Sequence, residues 1–299
     1  MEAESGTRAV AVRTKAHPPR LRTRTAWRRI VAARCAELGR DDADDFEDDI
    51  ESVHRRRVAI RRLRSALALF APCLDRAERL HFDAALRELG RAYGPARDWD
   101  VACLRSFPAA MAGEDAAAAA TMLATSDAAR RDAHERLAAS GAEAGRHRLA
   151  QEIARWAAGP SVIAPSAANR PVDALAPELL RRLDRRVRRR GRRIGTLSDD
   201  ALHALRKAMK RASYAAEALE GVAPGLALGA FRAAAGAVLD QLGRFNDAGV
   251  ARGLAEGLAS DDVPVAAPVR RWAKRRARKA KRRLEPAWRD YRAASRPWD

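Results

Sequence analysis

The chain is short of everything a β-sheet protein needs. Aromatic residues are 5% of its 299 positions, and no stretch alternates Val, Ile, Thr or aromatic residues with polar ones, so sheet folds are excluded. Cysteine occurs three times, as Cys35, Cys73 and Cys103. That odd number without ligand-type spacing argues against a disulfide framework or a zinc site and fits free thiols in a reducing, cytoplasmic setting. No apolar run reaches membrane-spanning length and no signal-peptide core opens the sequence, so no membrane partner is expected. The motifs HExxH, GxSxG and the phosphate-binding P-loop are missing, and His17, His81, His134 and His147 are scattered. No catalytic residue, metal or cofactor is therefore expected, and the chain reads as a non-enzyme. Lysine is scarce too: it stands at six positions, which leaves 52 arginines among 58 basic residues.

What is abundant is apolar residue content of 47%, mostly Ala and Leu, and positive charge. The first predicts an all-α protein with ample core. The second, a net +19 with a sequence pI of about 11.2, exceeds what solubility requires and points to a polyanionic partner. Arginine suits that role, because its planar fork pairs with phosphate oxygens and stays charged. Codon bias towards Arg and Ala accounts for the Arg-to-Lys ratio, but not for the excess of positive charge.

The segment Ser52 to Phe70 concentrates both features. At about 100° per residue, Ile60, Leu63, Leu67 and Phe70 share one face, while His54, Arg57, Arg61 and Arg64 share the other. Leu202 to Leu219 repeats the design, with Leu205, Met209, Ala212, Ala216 and Leu219 opposite His203, Arg206 and Lys210. The offset is constant: His54 to His203, Gly94 to Gly243 and Asp98 to Asp247 are each 149 residues apart. This register identifies an internal duplication, with Tyr93 to Val101 answering Leu242 to Val250 as a pair of turns.

The predicted layout is a flexible basic arm (1–25), a first helical half (26–158), a linker rich in Gly, Pro, Ser and Asn (159–172) and a second helical half (173–299). Helices are expected from about Ala26 to Leu38, buried through Trp27, Ile30, Val31 and Leu38, and from Glu78 to Tyr93 with a Leu80, Leu86, Leu89 stripe. Asp98 is expected to cap a helix entering at Trp99, or to aim a motif arginine through a salt bridge. Others follow from Asp115, over Ala142 to Ala158, from Pro177, and over the basic stretch Val269 to Ala293. The acidic run Asp41 to Asp49 reads either as a solvated linker that favours the next helix start or as a counter-charge competing for the basic face.

The residues His54, Arg57, Val58, Arg61, Arg62, Leu63 and Arg64 with GPARDWDV, and His203, Arg206, Lys207, Lys210, Arg211, Tyr214 and Glu217 with LGRFND, resemble the CHAD family, the conserved-histidine α-helical domain. The likeness runs from about Ala26 to the end. It implies two helical bundles related by a pseudo-two-fold, with the histidine-bearing helices lining a shared basic channel that binds inorganic polyphosphate. It implies as site residues His54, Arg57, Arg61, Arg62, Arg64, Arg97, His203, Arg206, Lys207, Lys210 and Arg211. Such domains are often fused to a CYTH-type triphosphatase; no ExExK signature appears here, so a stand-alone binding protein is expected, with association to polyphosphate granules as its natural extension. Arg64 faces Ser213 across the repeat, so the halves need not contribute equally.

Each feature also has a plainer reading. The cationic faces could be solvated and paired to local acids such as Glu217, and the histidines could be hydrogen-bonded core residues. If the histidines touch phosphate, binding should strengthen as pH falls towards the ordinary histidine value of about 6.5. The rival function class is nucleic-acid binding by the Arg270 to Arg283 run, a low-specificity signal without aromatic platforms beside it.

Overall fold

The computed structural model describes residues 20–40, 49–258 and 266–298. Twelve α-helices make up the described fold, and no strand occurs among the described residues. They are α1 Thr23–Gly39, α2 Asp49–Leu69, α3 Arg76–Ala92, α4 Gly94–Val101, α5 Phe107–Met111, α6 Ala116–Ala139, α7 Ala142–Ala158, α8 Pro165–Ala168, α9 Val172–Arg190, α10 Asp199–Glu220, α11 Gly229–Leu258 and α12 Ala266–Ala293. Residues 41–48 of the acidic run and 1–19 of the expected arm lie outside the described residues; of the rest, Asp49 opens α2 and Thr23 to Thr25 belong to α1.

The duplication extends to whole helices. Adding 149 to the bounds of α1 gives 172 and 188, against α9 at Val172–Arg190; α2 maps to 198–218, against Asp199–Glu220; and α6 maps to 265–288, against Ala266–Ala293. The shifted α3 and α4 together fall on the single helix α11. The break in the first half traces to Pro95, whose ring and missing N–H stop a helix from running through. Its counterpart, 149 residues on, is Arg244, and there α11 continues unbroken. LGRFND is therefore helix, not turn. Asp98 lies inside α4 rather than capping it.

The apolar faces read from periodicity are buried. Ile60, Leu63 and Leu67 of α2 with Phe70 just beyond it, and Leu205, Met209, Ala212, Ala216 and Leu219 of α10, are all within 2% of complete burial. Trp27 sits at the centre of the first half, edge-on to Phe70 and Trp156 with centroids 5.4 and 5.5 Å away. Leu80 is an exception at 45% exposure. It is six residues from Leu86, about 240° round the helix; Phe82, Leu86 and Leu89 form the buried stripe instead. Helix α9 starts five residues before Pro177, which is accommodated inside it.

α2 packs against α10, and one apolar core runs through both halves, joining α1, α2, α3 and α7 to α9, α10, α11 and α12. A smaller cluster of Phe107, Met111, Met122, Ala251, Ala255 and Val269 closes the end formed by α5, α6, α11 and α12. The connection at 159–171 is stitched to the body: Ala164 N–H donates to the Cys73 carbonyl (2.8 Å), and Val172 N–H to that of Leu21 (2.8 Å). Val162 and Ile163 within it are buried.

Candidate functional site

The packing of α2 on α10 brings the two duplicated cationic faces together. Arg57 and Arg61 from α2 meet Arg206 and Lys210 from α10 closely enough that Arg61 lowers the proton affinity of the other three. Burial is the largest cause for Lys210, followed by the charges of Arg61 and Arg206; together they bring its pKa from 10.5 to about 7, against some support from Asp247. Arg57 falls to about 10 through burial and then Arg61, with Asp98 opposing. Arg206 is lowered chiefly by burial, while Asp247 opposes and Arg61 adds to the shift. These four residues pair off under the 149 offset, Arg57 with Arg206 and Arg61 with Lys210.

Beneath them lie two carboxylates from the same duplication. Asp98 on α4 and Asp247 on α11 line one small cavity of about 30 Å³ together with Asn246. Burial raises the Asp98 pKa, Arg57 and Arg61 pull it down, and Asp247 pushes it up again. Asp98 approaches Arg57 at 3.9 Å, so of its two expected roles it takes the arginine-aiming one. Among the described residues, no carboxylate stands within ion-pair distance of Arg61, Arg206 or Lys210. Three half-buried cations where α2 meets α10 are thus left without an ion-pair partner among the described residues, an arrangement that favours an incoming anion.

The histidines flank this group unequally. His54 is half-buried among Arg97, Glu51, Arg61 and Lys210, and burial followed by Arg97 lowers its pKa. His203 is exposed; burial of part of its ring and Lys207 lower its pKa, while a side-chain hydrogen bond with Asn246 raises it. Asn246 is the 149-shifted partner of Arg97, so each histidine has an equivalent polar neighbour. Arg97 itself is lowered by burial, with Asp100 and Glu51 opposing.

Four of the expected site residues lie elsewhere. Arg62 is 100° round from Arg61 and turns to Glu217 (2.8 Å) and Glu37 (3.3 Å). Arg34 joins the same acids, so the plain reading of Glu217 as a local partner holds, though for Arg62 and not for the cleft. Arg64 keeps the phase of Arg57 and Arg61 but is one turn further on, where it grips Asp83 with Nε at 2.9 Å. Arg211 is beside Arg64, Asp83 and Arg186, and Lys207 is exposed next to His203. Asn246 and the facing of Asp98 and Asp247 escaped the sequence reading, although the offset that links Arg97 to position 246 was visible in it.

The break at Pro95 makes the halves differ in one further way. At the α3–α4 junction Arg57 Nη1 donates to the carbonyls of Tyr93 (3.1 Å) and Gly94 (2.8 Å), the first of which also accepts from Arg97 N–H (3.4 Å). In unbroken α11 the matching carbonyls serve the helix itself, and Arg206 donates to none. Arg57→Ala should accordingly cost about 1–2 kcal/mol of stability, seen as a lowered urea midpoint. Arg206→Ala should leave the midpoint within about 0.5 kcal/mol; equal losses for the two would contradict the anchoring role.

A family model described as the CHAD domain matches residues 29–256. No curated protein matches the chain. Among solved structures, the crystal structure of the CHAD domain from the plant Ricinus communis superposes with a TM-score of 0.72 at 24% identity, covering 98% of this chain and 99% of that one. PptA from Streptomyces chartreusis superposes with a TM-score of 0.66 at 17% identity, covering 91% and 99% respectively. With its duplicated helices, paired cationic faces and a family match across more than two thirds of its length, the chain belongs to the CHAD-domain family.

Proposed function

We propose that the protein binds inorganic polyphosphate in the cleft between α2 and α10 and performs no chemistry on it. The observation that carries this reading is the convergence of Arg61, Arg206 and Lys210, contributed by both repeats, with Asp247 only partly offsetting the last two and no carboxylate within ion-pair distance of any of the three among the described residues. Polyphosphate repeats a negative charge along a flexible chain and offers no base to stack or read. A half-buried row of fixed donors matches that chemistry, with charge-assisted bonds and counterion release supplying affinity. Asp98 and Asp247 support the same reading: Asp98 approaches Arg57 at 3.9 Å and Asp247 offsets Arg206 and Lys210 only in part, which leaves an excess of positive charge for the ligand. Association with polyphosphate granules follows as the cellular expectation.

The nucleic-acid reading rests on α12, whose basic residues are almost all solvent-exposed around a buried stripe of Val269, Ala273, Ala280 and Leu284. Arg276 lies over the ring of Trp272 and Lys281 over that of Phe245, so those rings are covered by cations. Titrating long-chain polyphosphate and duplex DNA at equal phosphate across a salt series separates the two. Polyphosphate should bind more tightly at physiological salt, and a preference for the duplex would overturn the proposal. Release of phosphate on addition of Mg²⁺ or Mn²⁺ would overturn the non-catalytic half of it.

A further inference from the structure

A second concentration of charge lies away from the cleft, in a cavity of about 740 Å³ between α9 and α12. Seven arginines line it. Two are occupied: Arg182 donates to the Ala68 and Leu69 carbonyls at the end of α2, and Arg188 pairs with buried Asp184 at 2.9 Å. The remaining five, Arg185, Arg186, Arg189, Arg192 and Arg292, are exposed, and among the described residues none has a carboxylate within ion-pair distance. Arg185 and the adjacent Arg186 lie four and three residues before Arg189, and Arg192 three residues after it, so the neighbours across each step are about one helical turn apart as α9 ends.

This patch is no by-product of the duplication. Subtracting 149 from 182, 185, 186, 188, 192 and 292 gives Ala33, Ala36, Glu37, Gly39, Ala43 and Glu143, none of them basic; Arg189 alone meets an arginine, Arg40. The patch also communicates with the cleft. Arg211, next to Lys210 on α10, is lowered by burial and by the charges of Arg64, Arg186 and Arg87 against that of Asp83, and Arg182 by burial, Arg79 and Arg186. Arg211 and Arg186 therefore lead from the α10 side of the cleft to the α9 face, with Arg64 and the Asp83 that pairs with it beside them. Trp288, the one ring in the wall, is 4% exposed and lies against the Gly191 backbone. It presents no free face for a nucleobase.

We propose that the α9–α12 cavity is a second phosphate-polymer site that takes the distal stretch of a long polyphosphate whose proximal stretch occupies the cleft. The proposal rests on the polyphosphate reading of the cleft. It assigns to this surface the discrimination of long chains from short ones, because only a long chain spans both places, and the added contact then acts at high effective concentration.

The test is the variant R185A/R186A/R189A/R192A, compared with wild type for binding of long-chain polyphosphate and of tripolyphosphate. The four side chains are solvent-exposed, so circular dichroism and melting temperature should match wild type. R186E/R189E serves as the second variant should the first fail to fold. Expected is at least a tenfold loss of long-chain affinity with a shallower salt dependence, and no change for tripolyphosphate. Unchanged long-chain affinity overturns the second site, as does an equal loss on both probes. Polyglutamate displacing long-chain polyphosphate from wild type but not from the variant, at equal charge concentration, would also overturn it, in favour of an acidic protein partner. Wild type that binds neither probe sinks the reading of the cleft itself, a result distinct from all of these.

Discussion

Replacing Arg61, Arg206 and Lys210 together with alanine is expected to weaken polyphosphate binding by about a thousandfold or more while leaving the helical circular dichroism unchanged. Each removes a cation that has no carboxylate partner among the described residues, and a hydrogen bond to a charged group contributes about 1.5–3 kcal/mol. Three such losses, even with partial compensation by Arg57 and Arg97, exceed the 4 kcal/mol that a thousandfold represents. The fold should tolerate the change, because the three side chains repel one another in the empty cleft and removing them relieves that repulsion. Arg57 is left in place deliberately, since its bonds to the Tyr93 and Gly94 carbonyls would mix a stability effect into the result. Arg62→Ala is the matching control. It should disturb the Glu37 and Glu217 network and leave affinity within about twofold. Calorimetric titration decides the matter, and an affinity loss below tenfold for the triple variant would place the ligand elsewhere.

Affinity should also fall as pH rises through neutrality, by up to about a hundredfold between pH 7 and pH 9. Lys210 is the cause. In the free protein its pKa is about 7, set by burial and by Arg57, Arg61 and Arg206 against the carboxylate of Asp247. A polyanion in the cleft favours the ammonium form. Below pH 7 the lysine is already charged and no proton need be taken up. Above it, binding must recruit a proton at about 1.4 kcal/mol per pH unit, until the raised pKa of the complex is passed. Long chains are the right probe because their titrating end groups are few. Lys210→Arg, which stays charged throughout, should flatten the profile between pH 7 and 9. Wild-type affinity that is level over this range, or a slope that survives in the arginine variant, would remove Lys210 from the site. In the ligand-free protein the sign reverses: the unfolded chain binds the lysine proton more readily, so this group makes stability rise with pH between about 7 and 10.5. The histidines act lower. Their pKa values are depressed in the free protein, so their contribution to binding grows below about pH 6.5, beneath the window set by the lysine.

The helices and their inward faces were legible because periodicity depends on local sequence alone. Ile60, Leu63 and Leu67 point inward for the same reason that Arg57 and Arg61 point out, and the 149-residue register tied the second half to the first. What periodicity cannot supply is the neighbour across a helix interface. Arg62 and Arg61 look alike in sequence, yet a 100° turn delivers one to Glu37 and Glu217 and leaves the other facing Lys210. Arg64 has the right phase, but Asp83 on α3 meets it first. Asp98 resembled a cap because Gly94-Pro95 announces a break; the chain resumes a helix at once, carrying the aspartate inside it and towards Asp247. The depressed pKa of Lys210 was equally out of reach, since it results from arginines contributed by another helix. LGRFND was read as a turn from its likeness to the first repeat, and the substitution of Arg244 for Pro95 was the overlooked clue.

A protein built by doubling could have been a pair of jaws, each with its own interior and free to swing about the joint. Here the interior passes without interruption from one copy to the other, and the joining segment is sewn down at Cys73 and Leu21. Such a receptor holds its groove ready-made. On the proposed polyphosphate reading, no closing motion has to be driven by the guest, and little of the attraction between phosphate and guanidinium would be consumed in shaping the host.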